Sequence, residues 1–252
     1  MISERDTEFW EDISGTYSSD DQGDAPRRIV DSLLESGAVR PDDCVMEIGS
    51  GPGTYSLPLA QRVRILVCMD SSEGMLERLG ASAAGMGIGN IERFHKDWST
   101  YVPRKGYDFC LATLLPGSAS DDSMRRMEGT ARRGCAVLAW ERLGWDDVTA
   151  SVSDSLGLER HGPVRGTEFF EDWLSCNRRD FSIERFPIGL TREIPLEKAV
   201  ESECAKFRAF GIIDGVEDAV KDALSPYTDG GMVRFETENV LRMVRWLCEK
   251  SE

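Results

Sequence analysis

Hydrophobic positions from residue 43 onward follow two alternating patterns. Short continuous apolar runs, typical of strands buried on both faces of a parallel sheet, alternate with longer stretches in which apolar residues recur every three or four positions, as in amphipathic helices. The alternation predicts a doubly wound α/β fold with a mostly parallel sheet and helices on both faces. The predicted strands are 43–48, 64–69, 91–95, 107–113, 134–140, 181–187 and 238–247, and the predicted helices are 5–17, 25–37, 53–63, 72–84, 120–132, 146–156, 166–177, 195–210 and 215–225.

A glycine-rich turn follows the first predicted strand. Residues 45–54 read Val-Met-Glu-Ile-Gly-Ser-Gly-Pro-Gly-Thr, so that Glu47 precedes glycines at three alternate positions, Gly49, Gly51 and Gly53. A turn without Cβ atoms lets backbone N–H groups approach a ligand closely, and the N-terminus of the following helix points at the same place. The turn therefore predicts a binding site for a small-molecule cofactor.

The spacing of these glycines distinguishes between two classes of cofactor. A dinucleotide fingerprint has the form G-x-G-x-x-G, and its last glycine packs the helix against the strand under a pyrophosphate. Here the spacing is G-x-G-x-G, and Thr54 occupies the position of that last glycine. The charge of Glu47 is poorly placed beside a pyrophosphate but well placed to face an α-amino group. The turn therefore favours a ligand with an ammonium and a carboxylate at one end.

The segment from Glu47 to Gly53 resembles the first motif of the class I S-adenosylmethionine-dependent methyltransferases, which has the form acidic-hydrophobic-G-x-G-x-G. In that family the turn, which here includes Ser50, holds the methionine part of the cofactor. The resemblance covers roughly residues 43–140 and implies S-adenosyl-L-methionine as cofactor and S-adenosyl-L-homocysteine as product. It also implies a Rossmann-like sheet of seven strands, in which the last two predicted strands form a reversed C-terminal edge.

The second predicted strand ends in an acid, Asp70. This residue lies 17 positions beyond Gly53, close to the interval of roughly 20 residues at which a second-strand carboxylate reaches a ribose. A carboxylate accepts hydrogen bonds from both ribose hydroxyls. The family's second motif implies that the residues just after the acid, here Ser71 and Met75, border the adenine. The alternative is that Asp70 only caps the following helix.

Two further strand ends complete the resemblance. The third strand ends near Asp97 and Trp98, where the family places an acid that hydrogen-bonds the adenine amine, and Trp98 could flank the purine. The alternative is that Trp98 belongs to the core and Asp97 begins a turn. The fourth strand ends at Thr113, which the resemblance places next to the methyl-bearing sulfur.

An aromatic stripe precedes the predicted fold. Phe9, Trp10, Ile13 and Tyr17 lie on one face of a predicted helix, which would pack on the core in any case. Related methyltransferases often open with such a helix, and it covers their cofactor with the tyrosine near the sulfonium. The resemblance therefore implies that Tyr17 contacts the cofactor.

We expect one methyltransferase domain over residues 1–252. Within it, 1–20 is the helical cover, 21–187 and 231–252 form the core, and 188–230 is a helical insertion. Additions at the carboxyl ends of strands build the pocket in open α/β sheets, so the insertion, with 141–165, is interpreted as a substrate lid. The alternative is a stabilising helical pair or a dimer contact.

Composition narrows the classes of partner. The net charge is −15, from 45 acids and 30 bases, and such a field repels polyanions, so nucleic acid is not expected as a partner. No apolar run approaches the 18 or so residues of a membrane span, and the charged N-terminus lacks an apolar signal region. We expect a cytoplasmic monomer or homodimer. The seven cysteines show no zinc-type spacing, so reduced thiols and no metal site are expected.

Methyl transfer from a sulfonium places few demands on side chains. The leaving group is a neutral thioether, and the protein must mainly hold the nucleophile in line, about 3–3.5 Å from the methyl group. A general base is needed only for an alcohol or phenol. The catalytic residues therefore stay unassigned. Tyr17 and His161 are the candidates, while His95 is interpreted as structural.

The sequence thus predicts a methyltransferase that uses S-adenosylmethionine and acts on a small molecule. Two alternatives are a methyltransferase that acts on a protein partner and a module that binds the cofactor or its product without catalysis. A dehydrogenase that uses a nicotinamide dinucleotide is disfavoured by the G-x-G-x-G spacing.

Overall fold

The computed structural model describes residues 7–8, 10–11, 14–15, 22–142, 146–158, 167–209 and 212–248. The strands are β1 (Cys44–Ile48), β2 (Ile65–Asp70), β3 (Ile91–His95), β4 (Tyr107–Thr113), β5 (Ala131–Arg142), β6 (Phe181–Pro195), β7 (Thr228–Asp229) and β8 (Met232–Leu247). The α-helices are α1 (Ala25–Glu35), α2 (Ser56–Ala60), α3 (Glu73–Gly85), α4 (Asp121–Thr130), α5 (Asp146–Ser155), α6 (Thr167–Cys176), α7 (Leu196–Ala209) and α8 (Val216–Leu224).

The strands form one sheet in the order β3-β2-β1-β4-β5-β8-β6, and β7 pairs with β8 in antiparallel fashion. β1 lies in parallel between β2 and β4, and Glu47 is in register with Cys68 on one side and Leu111 on the other. The last strand enters the order between β5 and β6. The sheet is therefore mostly parallel with a reversed C-terminal edge, as predicted. The carboxyl ends of β1, β2 and β4 meet at one edge of the sheet.

Burial follows the position of each strand in this order. The central strands β1 and β4 are the apolar runs of the sequence, and Val45, Met46 and Phe109 are fully or almost fully buried. β3 lies at the end of the sheet, and its residues are mostly exposed, including Phe94. Parallel strands that are covered on both faces need continuous apolar sequence, while an edge strand does not.

Three strands and one helix differ most in extent from the prediction. β5, β6 and β8 extend beyond their predicted ranges because their ends contain polar residues, which break the continuous apolar run but are compatible with an exposed strand. The predicted insertion 188–230 accordingly begins in β6. The helix predicted over 53–63 is wrong in extent, since only α2 is helical. Gly51 and Gly53 have φ of +51° and +102°, which residues 51–55 use for turns before α2 begins.

Contacts divide the chain into two compact units. The first contains the described residues of Met1–Ala139, Gly166–Phe186 and Leu241–Glu252, and its core includes Met46, Trp98 and Cys135. The second contains those of Trp140–Arg165 and Pro187–Val240. In the second unit α5 and α7 both pack against α8 around a separate apolar core. The two segments predicted to form a lid are thus largely one unit, and its role as a lid stays a prediction.

Within the described ranges, every helix is too short or too polar to cross a membrane.

Candidate functional site

A cavity opens in the first unit where β1, β2 and β4 end. This is the edge at which open α/β sheets bind their ligands. Nine of the predicted cofactor residues line it: Gly49, Ser50, Gly51, Asp70, Ser71, Met75, Asp97, Trp98 and Thr113. The other lining residues are Trp10, Gln22, Ile48, Pro52, Thr54, Tyr55, Met69, Lys96, Leu114, Leu115 and Pro116.

The glycine turn uses most of its backbone N–H groups to hold its own shape. The N–H groups of Gly49 and Ser50 donate to the Met69 carbonyl oxygen, at 2.9 and 3.1 Å. Gly51 N–H donates to Asp70 Oδ2 at 2.7 Å, and Gly53 N–H donates to the Ser50 carbonyl. The sequence-based expectation that these N–H groups face a ligand is therefore wrong. The turn instead offers carbonyl oxygens, the Ser50 hydroxyl and a surface without side chains.

Two of the glycines serve different purposes. Gly51 has φ of +51°, and a Cβ atom placed on it would meet no protein atom within 4 Å, so the space above it is open. A Cβ atom on Gly53 would lie 2.5 Å from Leu79 Cδ1 of α3. Gly53 therefore allows the turn to pack closely against α3. It was predicted to contact the cofactor, but it does not line the cavity.

Glu47 lies beneath the turn and not at the cavity surface. Its side chain is fully buried, and it accepts hydrogen bonds from Ser56 Oγ at 2.6 Å and from Thr113 Oγ1 at 3.0 Å. Burial raises the pKa of this carboxyl to about 7, against the opposing effect of the two hydrogen bonds. The structure therefore places Thr113 at the cavity lining, with Glu47 directly behind it.

The hydroxyl of Thr113 has more acceptors than protons. Its Oγ1 lies 3.0 Å from Glu47 Oε1 and 3.0 Å from the Gly49 carbonyl oxygen, but it carries a single hydrogen. If Glu47 is protonated, it can donate to Thr113, and Thr113 can then donate to Gly49. The protonated carboxyl thus satisfies every group in this chain of hydrogen bonds, which agrees with the raised pKa.

Asp70 connects the glycine turn to the start of α3. Its Oδ2 accepts from Gly51 N–H, and its Oδ1 accepts from Ser72 N–H at 2.9 Å. The N-cap of α3 is Ser72, whose hydroxyl accepts from Met75 N–H, so capping does not account for Asp70. The Ser71 N–H also stabilises this carboxylate. A carboxylate has about four acceptor positions, so acceptor capacity is left for ligand hydroxyls.

Asp97 and Trp98 form a wall of the cavity. Asp97 accepts from Ser99 N–H at 2.7 Å and caps a 3₁₀ turn. Trp98 is buried, stacks on Tyr101 with ring centroids 5.4 Å apart and donates from Nε1 to Ser123 Oγ. The alternative of a core tryptophan and a turn acid thus describes their packing. Both residues also line the cavity, as a contact with adenine requires. The contact itself stays a prediction.

Part of the N-terminal segment is fastened over the start of α3. Trp10 lines the cavity, and Glu11 accepts from Ser72 Oγ at 2.5 Å and from Gly74 N–H. These hydrogen bonds, first that from Ser72, lower the pKa of Glu11. Arg78 donates to the Ser14 carbonyl oxygen. Tyr17 and His161, together with Phe9 and Ile13, lie outside the described residues.

We expect Glu11→Ala to speed the release of S-adenosylhomocysteine by about threefold to tenfold, since it removes the charged acceptor that fastens Trp10 beside the cavity. Stopped-flow displacement measures the rate. Glu8→Ala, an exposed acid three residues earlier, is the matched control and should release the ligand at the wild-type rate. Deleting 1–20 should have at least the effect of Glu11→Ala, and normal kinetics in the deletion would reduce the segment to packing.

Tyr55, Gln22 and Lys96 are among the cavity residues that were not predicted from the sequence. Tyr55 donates from its hydroxyl to Gln22 Oε1, and both side chains are buried, while Lys96 lies next to Asp97. Tyr55 directly follows the glycine turn, and that position is a usable signal. Gln22 lies 33 residues away from Tyr55 in a polar stretch ahead of α1, where no periodic pattern marks it.

Comparison with known proteins finds a family match over about a third of the chain. Residues 45–134 match the family model of a methyltransferase domain. An uncharacterized protein of Haemophilus influenzae is 36% identical over 74 residues, which are 29% of this chain and 28% of that protein. The 23S rRNA (uracil(1939)-C(5))-methyltransferase RlmD of Pseudomonas aeruginosa is 41% identical over 71 residues, which are 28% of this chain and 16% of the enzyme. The chain thus spans less than a third of either relative.

The fold is shared over a longer stretch. Magnesium protoporphyrin IX methyltransferase (ChlM) of Synechocystis PCC 6803, in a crystal structure with bound SAH, superposes with a TM-score of 0.56 at 13% identity. The superposition covers 98% of this chain and 96% of that chain. At this identity the likeness concerns the fold, and it agrees with the strand order observed here.

Proposed function

We propose that this protein, whose residues 45–134 form a class I S-adenosylmethionine-dependent methyltransferase domain, transfers a methyl group to a small-molecule acceptor. The observation that carries the proposal is the cavity at the ends of β1, β2 and β4, where a glycine turn whose N–H groups are already bonded adjoins the carboxylate of Asp70. A turn whose N–H groups are already bonded is poorly suited to a diphosphate.

The residues of the cavity fit S-adenosylmethionine. Ser50 Oγ is buried and has no hydrogen-bond partner among the described residues, so it is available to the polar end of the ligand. The open space above Gly51 admits the methionine part, and the remaining acceptor capacity of Asp70 suits the ribose hydroxyls. In this proposal Ser71, Met75 and the pair Asp97–Trp98 enclose the adenine.

When bound, the cofactor supplies an electrophilic methyl group with a neutral thioether as leaving group. The protein contributes position and exclusion of water. Thr113 lies at the end of β4, and the next residue, Leu114, has φ of +50°, a strained conformation for a branched side chain. Leu114, Leu115 and Pro116 form an apolar wall beside Thr113. We propose that this wall holds the acceptor in line, for which no side-chain base is required if the acceptor is an amine or a thiolate.

Charge supports a small acceptor. The net charge of −15 opposes binding of RNA or DNA. The rRNA methyltransferase RlmD matches only 71 residues of this chain, and that segment is 16% of the enzyme. So short a match does not indicate that the two proteins share a substrate. A protein acceptor and a binding module without catalysis remain the two competing functions.

A labelling screen tests the proposal. The protein is incubated with S-adenosylmethionine carrying a labelled methyl group and with separate cell fractions: metabolites below about 1 kDa, total protein and total RNA. We expect label in the metabolite fraction, while label confined to protein or RNA would reject a small acceptor. Binding of S-adenosylhomocysteine without label in any fraction would support the binding module. NADH should give no saturable change in fluorescence, and a micromolar response would overturn the cofactor assignment.

A further inference from the structure

We propose that Cys135 and Cys248 form a redox-active dithiol that hydrogen peroxide converts to a disulfide. Cys135 lies on β5, and Cys248 directly follows β8, the strand next to β5 in the sheet. Their Sγ atoms are 3.7 Å apart, and the Cys248 N–H donates to the Arg133 carbonyl oxygen at 3.0 Å, which fixes Cys248 beside β5. A disulfide requires about 2.0 Å between the sulfur atoms, so a shift of less than about 2 Å closes the bond.

The two thiols differ in their access to solvent. Cys248 is 8% exposed and lines an open surface cavity in the first unit, together with Lys105, Arg125, Glu128 and Arg179. Cys135 does not line this cavity and is fully buried in the core of the unit. A small oxidant can therefore reach Cys248 first, and Cys135 lies directly behind it.

The electrostatic surroundings assign different roles to the two sulfur atoms. The hydrogen bond from Cys135 lowers the pKa of Cys248, and the charges of Lys105 and Arg179 act in the same direction, while burial and Glu128 oppose them. Burial raises the pKa of Cys135 well above its ordinary value. Since the thiolate is the nucleophile, Cys248 is the sulfur that attacks, and Cys135 keeps its proton until the second step.

The chemistry balances with hydrogen peroxide as the oxidant. The Cys248 thiolate attacks one peroxide oxygen, the O–O bond breaks, and after uptake of a proton the products are a sulfenic acid and water. The Cys135 sulfur then attacks the Cys248 sulfur, the S–O bond breaks, and the hydroxide leaves with the Cys135 proton as a second water molecule. Two thiols are thereby oxidised by two electrons, and one peroxide is reduced to two water molecules.

Oxidation of the intact protein tests this pair. The protein is treated with hydrogen peroxide, its remaining thiols are alkylated in denaturant, and peptides are analysed by mass spectrometry without reduction. We expect a cross-link between the peptides of Cys135 and Cys248 that forms at least tenfold faster than any oxidation of Cys176, which is the exposed cysteine. Cys176→Ser, the matched control, should form the cross-link at an unchanged rate.

A second variant separates the two steps. In Cys135→Ser the sulfenic acid at Cys248 has no resolving thiol, so dimedone should trap it, whereas in the wild type the adduct should be at least tenfold less abundant. The proposal would be overturned if peroxide oxidised Cys176 while Cys135 and Cys248 remained reduced and were fully alkylated afterwards. A stable sulfenic acid at Cys248 in the wild type, or the absence of any oxidation at the pair, would also overturn it. None of these outcomes depends on methyltransferase activity.

Discussion

Asp70→Ala is expected to weaken the binding of S-adenosylhomocysteine by at least tenfold. The substitution removes the carboxylate proposed to accept from the ribose hydroxyls, and hydrogen bonds to a charged group contribute about 1.5–3 kcal/mol each. It also removes the acceptor of the Gly51 N–H, which shapes the turn over which the methionine part would lie. Isothermal titration calorimetry measures the affinity directly.

Two variants distinguish ribose binding from the support of the turn. Asp70→Asn keeps the size of the side chain and one acceptor oxygen, so it should bind more tightly than Asp70→Ala but less tightly than the wild type. Asp31→Ala removes an acid that forms a surface ion pair with Arg62, and since neither residue lines the cavity, it should leave the affinity unchanged. Wild-type affinity in Asp70→Ala would exclude Asp70 from the ribose site.

The part of the site that the sequence predicted well is the part built by strand ends. Asp70 and Thr113 each end a recognisable apolar run, Asp97 follows the third predicted strand, and parallel strands bring their carboxyl ends to one edge of the sheet. Their placement in one cavity is therefore a consequence of topology that a one-dimensional pattern already contains. Gln22 shows the opposite case, because its place in the lining depends on a contact with Tyr55 across 33 residues.

The direction in which a group points could not be predicted in the same way. Glu47 and Gly53 belong to the same sequence motif as the glycines that line the cavity. In the structure, however, Glu47 is buried under Thr113 and Gly53 packs against Leu79. Successive strand residues point to opposite faces, but the path of a turn is decided by where its N–H groups find acceptors. Here the Met69 carbonyl oxygen and Asp70 decide it, and both belong to another strand.

Glu47→Gln is expected to become more stable relative to the wild type as the pH rises. In the folded protein the pKa of Glu47 is about 7, above its ordinary value of 4.5. The folded state therefore binds this proton more tightly than the unfolded state. The resulting stability is fully present below about pH 4.5, falls as the pH rises and is lost above about pH 7, with a total on the order of 3 kcal/mol. Glutamine resembles the protonated carboxyl and has no such loss.

Urea unfolding of both proteins at pH 5.5 and pH 8 tests this, because the difference between them removes the pH dependence of all other groups. The free energy of unfolding of Glu47→Gln minus that of the wild type should be about 1.5–3 kcal/mol larger at pH 8 than at pH 5.5, since the wild type must bury a charge at pH 8. Glu8→Gln, at an exposed position, should show no gain. A constant difference between Glu47→Gln and the wild type would mean that Glu47 is ionised throughout this range.

If the ionised carboxyl attracts the ammonium of the ligand through Thr113, the Glu47→Gln variant should also bind S-adenosylhomocysteine more weakly than the wild type at pH 8. Loss of affinity together with a gain in stability would show that the charge of Glu47 favours ligand binding and destabilises the folded protein.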